Sequence, residues 1–449
     1  MKYIDYVNLW RYYLLEYEAF EDYLSSKKLP HMIIVYKYVD QAGGLPIAAY
    51  TRKKIWEYAG GTAELVVIYD RKSVVDIPSG WIRRSRGLLP PADVKLSKLN
   101  YKRGLNKLMS EHGEGIVYWM AGLQAFRLEP EVLEFFKNQK SKFPKWLFLV
   151  EHGDIGLVRM KEEEWEAFIE PFDFVSFASP CKYYHCRNRY KFKPKNKKYF
   201  SLFLVPLKFE SEFVPFSERK ILNTWLSGIF AWRHPFDWYN FVDEKYTSYL
   251  KIMSHQRRSF SRNFKPLGVK YYDEAKRRFP EWFGNRKNAG ATYTTPDKFS
   301  YAEWRSILWK ASSDGTPGTW LDDTTPLEAI CSGTLVVSNY RFASNPLWKF
   351  DGENNVLFEM DSVTAFEAFL DDLLTNPKPY EDWARYVWGR YSYQIVRGTL
   401  TAYLIFTLYE AWKSNKLDEY KLFLEDDEVF PLFEKDIEAS LKIMRGGEI

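Results

Sequence analysis

The stretch Thr324–Asn339 has the clearest potential for binding chemistry in this sequence. Thr324 and Thr325 offer capping hydroxyls, and Pro326 fits a first helical position, where its missing N–H group is not needed. A helix is therefore predicted to begin at about Pro326, with Glu328 in its first turn. Free N–H groups and the positive end of a helix dipole attract phosphate, and a first-turn carboxylate can hydrogen-bond a ribose diol. The stretch favours a nucleotide.

Gly333 and the run Leu335–Val337 complete this pattern. The glycine suits a left-handed helix end, and the apolar run predicts a strand directly after it. A purely structural explanation also exists, because an acid in the first turn stabilises any helix and a terminal glycine is common. Helix physics alone leaves both interpretations open.

Two further groups of residues lie where α/β proteins bind ligands. His152 and Asp154 come just after the predicted strand Trp146–Val150, at the carboxyl edge of a sheet, where open α/β sheets bind ligands. Imidazole and carboxylate can act as a base or stabilise a developing positive charge. Gly43 and Gly44 follow the first predicted strand and would let the backbone approach a ligand.

The elements that must position these residues alternate between strand and helix. Met32–Val39 and Leu65–Tyr69 are short apolar runs on either side of a helical segment. Such units pack into parallel sheets, because parallel strands need a long crossover connection. Further strands are predicted at residues 115–120, 146–150, 172–177 and 199–206. Residues 1–208 are therefore predicted to form a Rossmann-like domain.

The second half of the chain repeats the pattern after a linker at Phe209–Pro215. The predicted elements are a strand and turn within 222–232, helices at Tyr239–Met253, Tyr301–Ser312 and Val363–Leu374, and strands at 269–272 and 356–360. This series predicts a second Rossmann-like domain over residues 209–379. The helical segment 380–449 is expected, by fold analogy, to pack back on the first domain.

The sequence resembles the donor-site helix of family 4 GT-B glycosyltransferases in Pro326–Ala329, Gly333-Thr334 and Val336-Val337. The resemblance implies an α/β fold of the GT-B type, two Rossmann-like domains facing a cleft, and sugar transfer from a nucleotide-sugar with retention of configuration. It also implies that Glu328 holds the ribose and that Thr324 and Thr325 contact phosphate. The nucleotide-sugar is a co-substrate, and neither a metal nor a cofactor is implied.

The resemblance also identifies candidates and two departures, the first of which is Ile229 where the family's arginine is expected. The family often carries His or His-Asp where His152 and Asp154 stand, and it commonly places cations after the first strand of the second domain, where Arg233 is found. Arg233 is thus either a phosphate clamp or a surface arginine. A second family glutamate, eight residues before Glu328, is replaced by Trp320. Asp322 and Asp323 are nearby acids. Each could substitute for the missing glutamate or be a solvated loop residue.

The segment Lys182–Lys198 is basic, contains interleaved aromatic residues and has no acid. Its cations could neutralise phosphates while its rings stack on bases. The segment could instead be a solvated loop, or it could contact an anionic membrane surface. Phage DNA glucosyltransferases also have the GT-B fold and a comparable Leu-Glu-x-x-x-Cys-Gly-Thr stretch. A modified DNA base is therefore one acceptor option beside glycan, lipid and protein. The alternative is a nucleic-acid-binding protein on a degenerate GT-B scaffold.

Composition sets the remaining expectations. With 449 residues, 46% apolar residues and a net charge of +5, the chain is long enough for two domains, and its overall charge does not by itself indicate a nucleic-acid partner. The apolar segment Leu400–Trp412 is too short to span a bilayer, and the N-terminal sequence does not resemble a signal peptide. Three cysteines fit a reducing, cytoplasmic location. Cys181, His185 and Cys186 lack a fourth ligand for structural zinc.

Overall fold

The computed structural model describes two α/β halves of the chain. The described residues are 1–37, 44–69, 75–76, 82–84, 87–89, 92–121, 130–152, 162–178, 198–203, 205–206, 209–219, 221–225, 250–252, 311–316, 324–339, 346–360 and 363–425. They divide between two compact units. The first unit takes residues 1–84, 88–207 and 397–429, and the second takes 85–87, 208–396 and 430–449.

A seven-stranded sheet forms the centre of the first unit. The first ten described strands of the chain are β1 (His31–Lys37), β2 (Ala63–Tyr69), β3 (Val75–Asp76), β4 (Ile82–Arg84), β5 (Gly87–Leu89), β6 (Val94–Ser97), β7 (Gly115–Ala121), β8 (Trp146–His152), β9 (Phe174–Phe177) and β10 (Lys198–Ser201). The order in the large sheet is β10-β9-β8-β7-β1-β2-β6, and all its neighbours are parallel. Strands β3, β4 and β5 form a separate small sheet.

The strand order of the large sheet explains why its central strands are apolar along their length. Strand β1 pairs with β2 on one side and with β7 on the other, so the chain builds outwards from the centre in both directions, as in doubly wound folds. The central strands are covered on both faces, and residues 32–36 and 116–120 are accordingly buried along their whole length. This burial explains why each strand is a continuous apolar run instead of an alternating pattern.

Within the described residues, six helices of the first unit precede residue 170: α1 (Tyr3–Leu15), α2 (Tyr17–Ser25), α3 (Gly44–Tyr58), α4 (Tyr101–His112), α5 (Pro130–Lys142) and α6 (Glu162–Ile169). Helices α1 and α2 are absent from the sequence predictions. The predicted strand at 199–206 is too long, because β10 ends at Ser201.

A second parallel sheet forms the centre of the second unit. The remaining described elements are β11 (Ile221–Trp225), β12 (Leu250–Ile252), β13 (Ala311–Thr316), α7 (Thr324–Ile330), β14 (Leu335–Asn339), β15 (Leu357–Met360), α8 (Val363–Thr375), α9 (Pro377–Arg397) and α10 (Thr399–Lys413). The strand order is β12-β11-β13-β14-β15, with parallel pairing throughout. The described part of this half therefore has the α/β organisation that was expected.

Two predicted helices of the second half are wrong where the structure describes them. Leu250–Ile252, at the end of the predicted helix Tyr239–Met253, is strand β12. Ala311 and Ser312, at the end of the predicted helix Tyr301–Ser312, begin β13. Strand β13 lies between β11 and β14, so hydrogen bonds on both sides stabilise a segment with little strand propensity of its own. The other residues of these two helices and the predicted strand at 269–272 lie outside the described residues.

The chain returns to the first unit at Arg397. Gly398 precedes α10 with φ of +59°, and a Cβ atom there would lie 2.9 Å from side-chain atoms of Ile55 and Val205. The Thr399 N–H donates to Tyr13 Oη at 3.0 Å. Helix α10 therefore packs on the first unit, whereas residues 380–396 belong to the second unit. Among the described helices, none is long and apolar enough to cross a membrane.

Candidate functional site

Helix α7 carries Glu328 and lies between two parallel strands of the second sheet. The chain leaves the carboxyl end of β13, forms α7 and enters β14, which pairs with β13. In such a crossover the helix begins at the carboxyl edge of the sheet, where open α/β sheets bind ligands. Glu328 is 6% exposed. A buried carboxylate is unusual and requires polar partners, so Glu328 is a candidate for a specific role in the helix that begins at this edge.

The end of α7 is fixed by two features. Gly333 has φ of +64°, and the Gly333 and Thr334 N–H groups donate to the carbonyls of Ile330 and Ala329. This is the Schellman arrangement, which confirms the predicted glycine stop. A Cβ atom on Gly333 would lie 2.7 Å from the ring of Phe213, so glycine is needed for space as well as for conformation.

Arg219 lies against this helix end. Its guanidinium donates to Ser332 O at 3.3 Å, Thr334 Oγ1 at 3.1 Å and Val214 O at 2.9 Å, and it lies over the ring of Phe216. Burial lowers the pKa of Arg219 to about 9, so the group remains charged at pH 7. A cation at a helix C-terminus is stabilising. Arg219 therefore holds α7 at its place on the sheet.

The predicted start of α7 is wrong. The helix begins at Thr324, two residues before Pro326, and no acid lies in its first turn. Proline is compatible with this start, because the N–H groups of the first helical turn have no partner within the helix. Glu328 is therefore the fifth helical residue, and Thr324 and Thr325 are helical residues instead of caps. Because α7 has only 7 residues, the buried Glu328 carboxylate is stronger evidence for a binding site than the helix dipole.

The first unit brings two other candidates to one sheet edge. Gly44 is the first residue of α3, the next described element after β1, and His152 is the last residue of β8. Strand β7 lies between β1 and β8. The prediction that His152 follows the strand is wrong: β8 continues to His152, which is paired with Ala121 of β7 and Phe177 of β9. Neighbours on both sides extend the strand beyond its apolar run.

A buried polar network lies beside this edge. Arg52 of α3 donates to the Glu151 carboxylate from Nε at 2.9 Å and from Nη2 at 3.3 Å. Its Nη1 donates to Phe203 O at 3.0 Å. The Tyr118 hydroxyl also donates to Glu151 and lies 3.2 Å from Ser176 Oγ. The network therefore joins α3 to β7, β8 and β9 through side chains.

Burial makes this network electrostatically strong. Arg52 is 4% exposed and Glu151 is 1% exposed. Burial opposes the charge of Arg52, yet the Glu151 carboxylate raises the pKa of Arg52 above its usual value. Burial, followed by the charge of Glu151, raises the pKa of Tyr118 well above its usual value, so Tyr118 remains a donor. Glu151 precedes His152 directly, and the network fixes the end of the strand that carries this histidine.

Sequence reasoning missed Arg52 and Arg219. A signal for Arg52 exists, because Ala49, Arg52, Ile55 and Trp56 share one buried face of α3, and an arginine on an apolar face indicates a buried partner. The remaining predicted site residues, Gly43, Asp154 and Arg233, lie outside the described residues, as do Trp320, Asp322 and Asp323. Of the basic segment Lys182–Lys198, only Lys198 is described, as the first residue of β10.

No protein-family model matches the sequence, and no curated protein matches it. Solved structures do resemble the chain. An alpha-glucosyltransferase in complex with UDP and a 13-mer DNA containing an HMU base is 12% identical, with a TM-score of 0.57 over 85% of this chain and 100% of the other. An alpha-glucosyltransferase with UDP and a 13-mer DNA containing a central A:G mismatch is 12% identical, with a TM-score of 0.54 over 84% and 99%. The chain has the GT-B fold, as the resemblance implied.

Proposed function

We propose that this chain is a glycosyltransferase that moves a sugar from a UDP-sugar to an acceptor. The observation that carries the proposal is the buried carboxylate of Glu328 in α7, at the carboxyl edge of the second sheet of a GT-B fold. Both similar structures contain UDP, which supports this nucleotide for the donor. The UDP-sugar is a co-substrate.

Each candidate residue has a chemical task in this proposal. Glu328 accepts hydrogen bonds from the ribose hydroxyls, while Thr324 and Thr325 contact the diphosphate. Arg233 supplies a cation that neutralises the charge developing on the UDP leaving group. In the reaction the bond between the anomeric carbon and the UDP oxygen breaks, and a bond to the acceptor oxygen forms. The acceptor proton passes to a base, and UDP leaves.

The first unit supplies the acceptor side. His152 and Asp154 stabilise the positively charged sugar or receive the acceptor proton, and Gly43 and Gly44 let the backbone approach the substrates. Retention of configuration is part of the proposal, following the family resemblance.

DNA is the acceptor that we propose to test first. Both similar structures contain DNA, one of them with an HMU base. The basic segment Lys182–Lys198 follows β9 and leads into β10. Strand β9 ends at Phe177, which is paired with His152. The chain leaves β9 at the edge where His152 lies and enters β10 at the other edge, where Lys198 pairs with Phe174. The cations of the segment suit a phosphate backbone.

Transfer assays with matched variants test the proposal. Purified protein is incubated with labelled UDP-sugars and with duplex DNA containing hydroxymethylated bases, and the release of UDP and the label on DNA are measured. Glu328→Gln should abolish both, whereas Glu353→Gln, an exposed carboxylate of the same unit, should leave both unchanged. If no UDP-sugar is turned over and none raises the Tm, the transferase proposal fails.

The alternative function, nucleic-acid binding on a degenerate scaffold, is favoured by the same basic segment. It predicts DNA binding that weakens steeply with salt and is lost when Lys193, Lys195, Lys197 and Lys198 are neutralised. Under this alternative, Glu328→Gln leaves DNA binding unchanged, and UDP is never released.

A further inference from the structure

Two histidines and a glutamate converge at the amino edge of the first sheet, the edge opposite to His152. His31 is the first residue of β1, Glu64 is the second residue of β2, and His112 is the last residue of α4. Glu64 pairs with Ile33, two residues after His31, so His31 and Glu64 are diagonal neighbours on the same face of the sheet. Residues that are far apart in sequence are thereby brought into one cluster on three different elements.

The three polar side-chain ends face one another. Glu64 Oε2 lies 3.9 Å from His31 Nε2 and 3.8 Å from His112 Nε2. One ligand atom from each residue lies within 4.8 Å of the other two. The imidazole rings stack at 3.5 Å between centroids, with 10° between their planes. In this stack the Nε2 atoms of His31 and His112 both lie within 4 Å of Glu64 Oε2.

Two of these atoms are buried without a hydrogen bond. His31 Nε2 and Glu64 Oε2 have no hydrogen-bond partner within the part of the chain that the structure describes. His31 Nδ1 lies 2.9 Å from Thr62 Oγ1, and the tautomer that donates to this hydroxyl leaves a lone pair on Nε2. A buried acceptor pair without a donor is costly unless a cation satisfies it.

We propose that His31, Glu64 and His112 bind a divalent transition-metal ion, with Zn²⁺ the best suited. Two imidazoles and one carboxylate are a common zinc ligand set that leaves a fourth position for water. With metal–ligand bonds of about 2.0–2.2 Å, tetrahedral ligand atoms are roughly 3.3 Å apart. The separations of 3.8 and 3.9 Å therefore exceed this spacing by only roughly 0.5 Å, although the two imidazole rings must also be reoriented.

The surroundings favour a cation. His112 ends α4, where Gly113 follows with φ of +76°, and the C-terminal end of a helix attracts positive charge. The Thr62 hydroxyl orients His31 in the way that outer hydrogen bonds orient metal-bound imidazoles. The side chains of His112 and Glu64 are 33% and 29% exposed, so an ion can enter from solvent.

Binding has two structural consequences. An imidazole lone pair lies in the ring plane, so the stacked rings of His31 and His112 must tilt apart when they share one ion. The bound ion also joins β1, β2 and α4 at their ends, and it should therefore stabilise the first unit. The site lies at the edge opposite to His152, and the inference does not depend on the proposed function.

Metal titration of the full chain tests this site. Protein is treated with a chelator and dialysed, then titrated with Zn²⁺ in a calorimeter and with Co²⁺ in an absorption spectrometer. We expect one equivalent bound through the cluster, visible Co²⁺ bands from nitrogen and oxygen ligands, and a higher Tm with Zn²⁺. His112→Gln and Glu64→Gln should each weaken binding at least about 10-fold.

Two further variants make the result decisive. Glu111→Gln removes an exposed carboxylate of the same helix that is not part of the cluster, and its affinity should equal that of the wild type. The double variant Cys181→Ser/Cys186→Ser removes the other metal-binding residue types noted in the sequence, and it should retain the cluster's equivalent. The proposal is overturned if the wild type binds no Zn²⁺, or if binding survives in folded His112→Gln and Glu64→Gln. Loss of all binding in the cysteine variant would overturn it too.

Discussion

Breaking the ion pair between Arg52 and Glu151 should cause one of the largest losses of stability in the first unit. Glu151→Gln keeps the shape of the side chain and removes its charge. The Arg52 guanidinium would then remain buried, with Phe203 O as its other acceptor. An uncompensated charge in a buried pair costs about 3–5 kcal/mol. That is a large part of the roughly 5–15 kcal/mol that stabilises a typical domain.

The chain offers a matched control at the surface. Lys137 Nζ and Glu170 Oε1 lie 2.7 Å apart, but their side chains are 60% and 57% exposed. Glu170→Gln should therefore cost about 0–1 kcal/mol, because solvent screens exposed pairs. The double variant Arg52→Met/Glu151→Leu removes both buried charges and should recover much of the stability lost in Glu151→Gln.

Hydrogen exchange measured by mass spectrometry is the suitable assay, because it reports the opening of β7 and β8 separately from the second unit. Glu151→Gln should raise exchange in Trp146–His152 by roughly 100-fold or more, since each 1.4 kcal/mol is a factor of 10. Glu170→Gln should change it less than about 10-fold. Equal effects of the two variants, or a loss below about 1 kcal/mol for Glu151→Gln, would refute the assigned role of this pair.

Three other predictions follow from particular contacts. Gly333→Ala should destabilise α7 by more than Gly60→Ala destabilises the end of α3. Both glycines have positive φ, and left-handed strain costs about 1–2 kcal/mol, but of the two only Gly333 is crowded, by Phe213. Equal increases in hydrogen exchange in the two variants would contradict this. Tyr13→Phe leaves the buried Thr399 N–H without its acceptor and should cost about 1–3 kcal/mol, seen as faster proteolysis near α10; unchanged cleavage would contradict it. EDTA should leave sugar transfer intact while lowering the Tm of Zn²⁺-loaded protein, and loss of transfer would show that the chemistry requires a metal.

Much of the fold could be predicted because buried strands leave a local signal. The central residues of β1, β2, β7 and β8 form continuous apolar runs, because they are buried on both faces of a parallel sheet. Helix α1 had a usable signal that the sequence analysis did not interpret. Tyr6, Val7, Trp10, Tyr13 and Leu14 are buried at intervals of three and four residues, which is the spacing of an amphipathic helix.

The missed features depend on contacts that local sequence does not record. The residues Arg52 and Glu151 are 99 positions apart, and no pattern around either one identifies the other. Strand β8 extends to His152 because β7 and β9 pair with it there. Strand β13, Ala311–Thr316, gains its conformation from neighbours on both sides, which overrides weak propensity.

The candidate donor site was predicted in part. The stop of α7 at Gly333 could be predicted because left-handed backbone strongly favours glycine. The start could not, because proline fits several positions of a first turn. Glu328 lies in the second turn of α7 and not at the helix end. A ribose contact would therefore be made by the Glu328 carboxylate with little contribution from the helix dipole.

Transfer by the wild type and by Glu328→Gln, measured with UDP-sugars and hydroxymethylated duplex DNA, tests the central claim most directly. The proposed function predicts UDP release and labelled DNA for the wild type, loss of both for Glu328→Gln, and full activity for Glu353→Gln. An active Glu328→Gln enzyme would contradict the role of α7, and an inert wild type that still binds DNA would contradict the transferase itself.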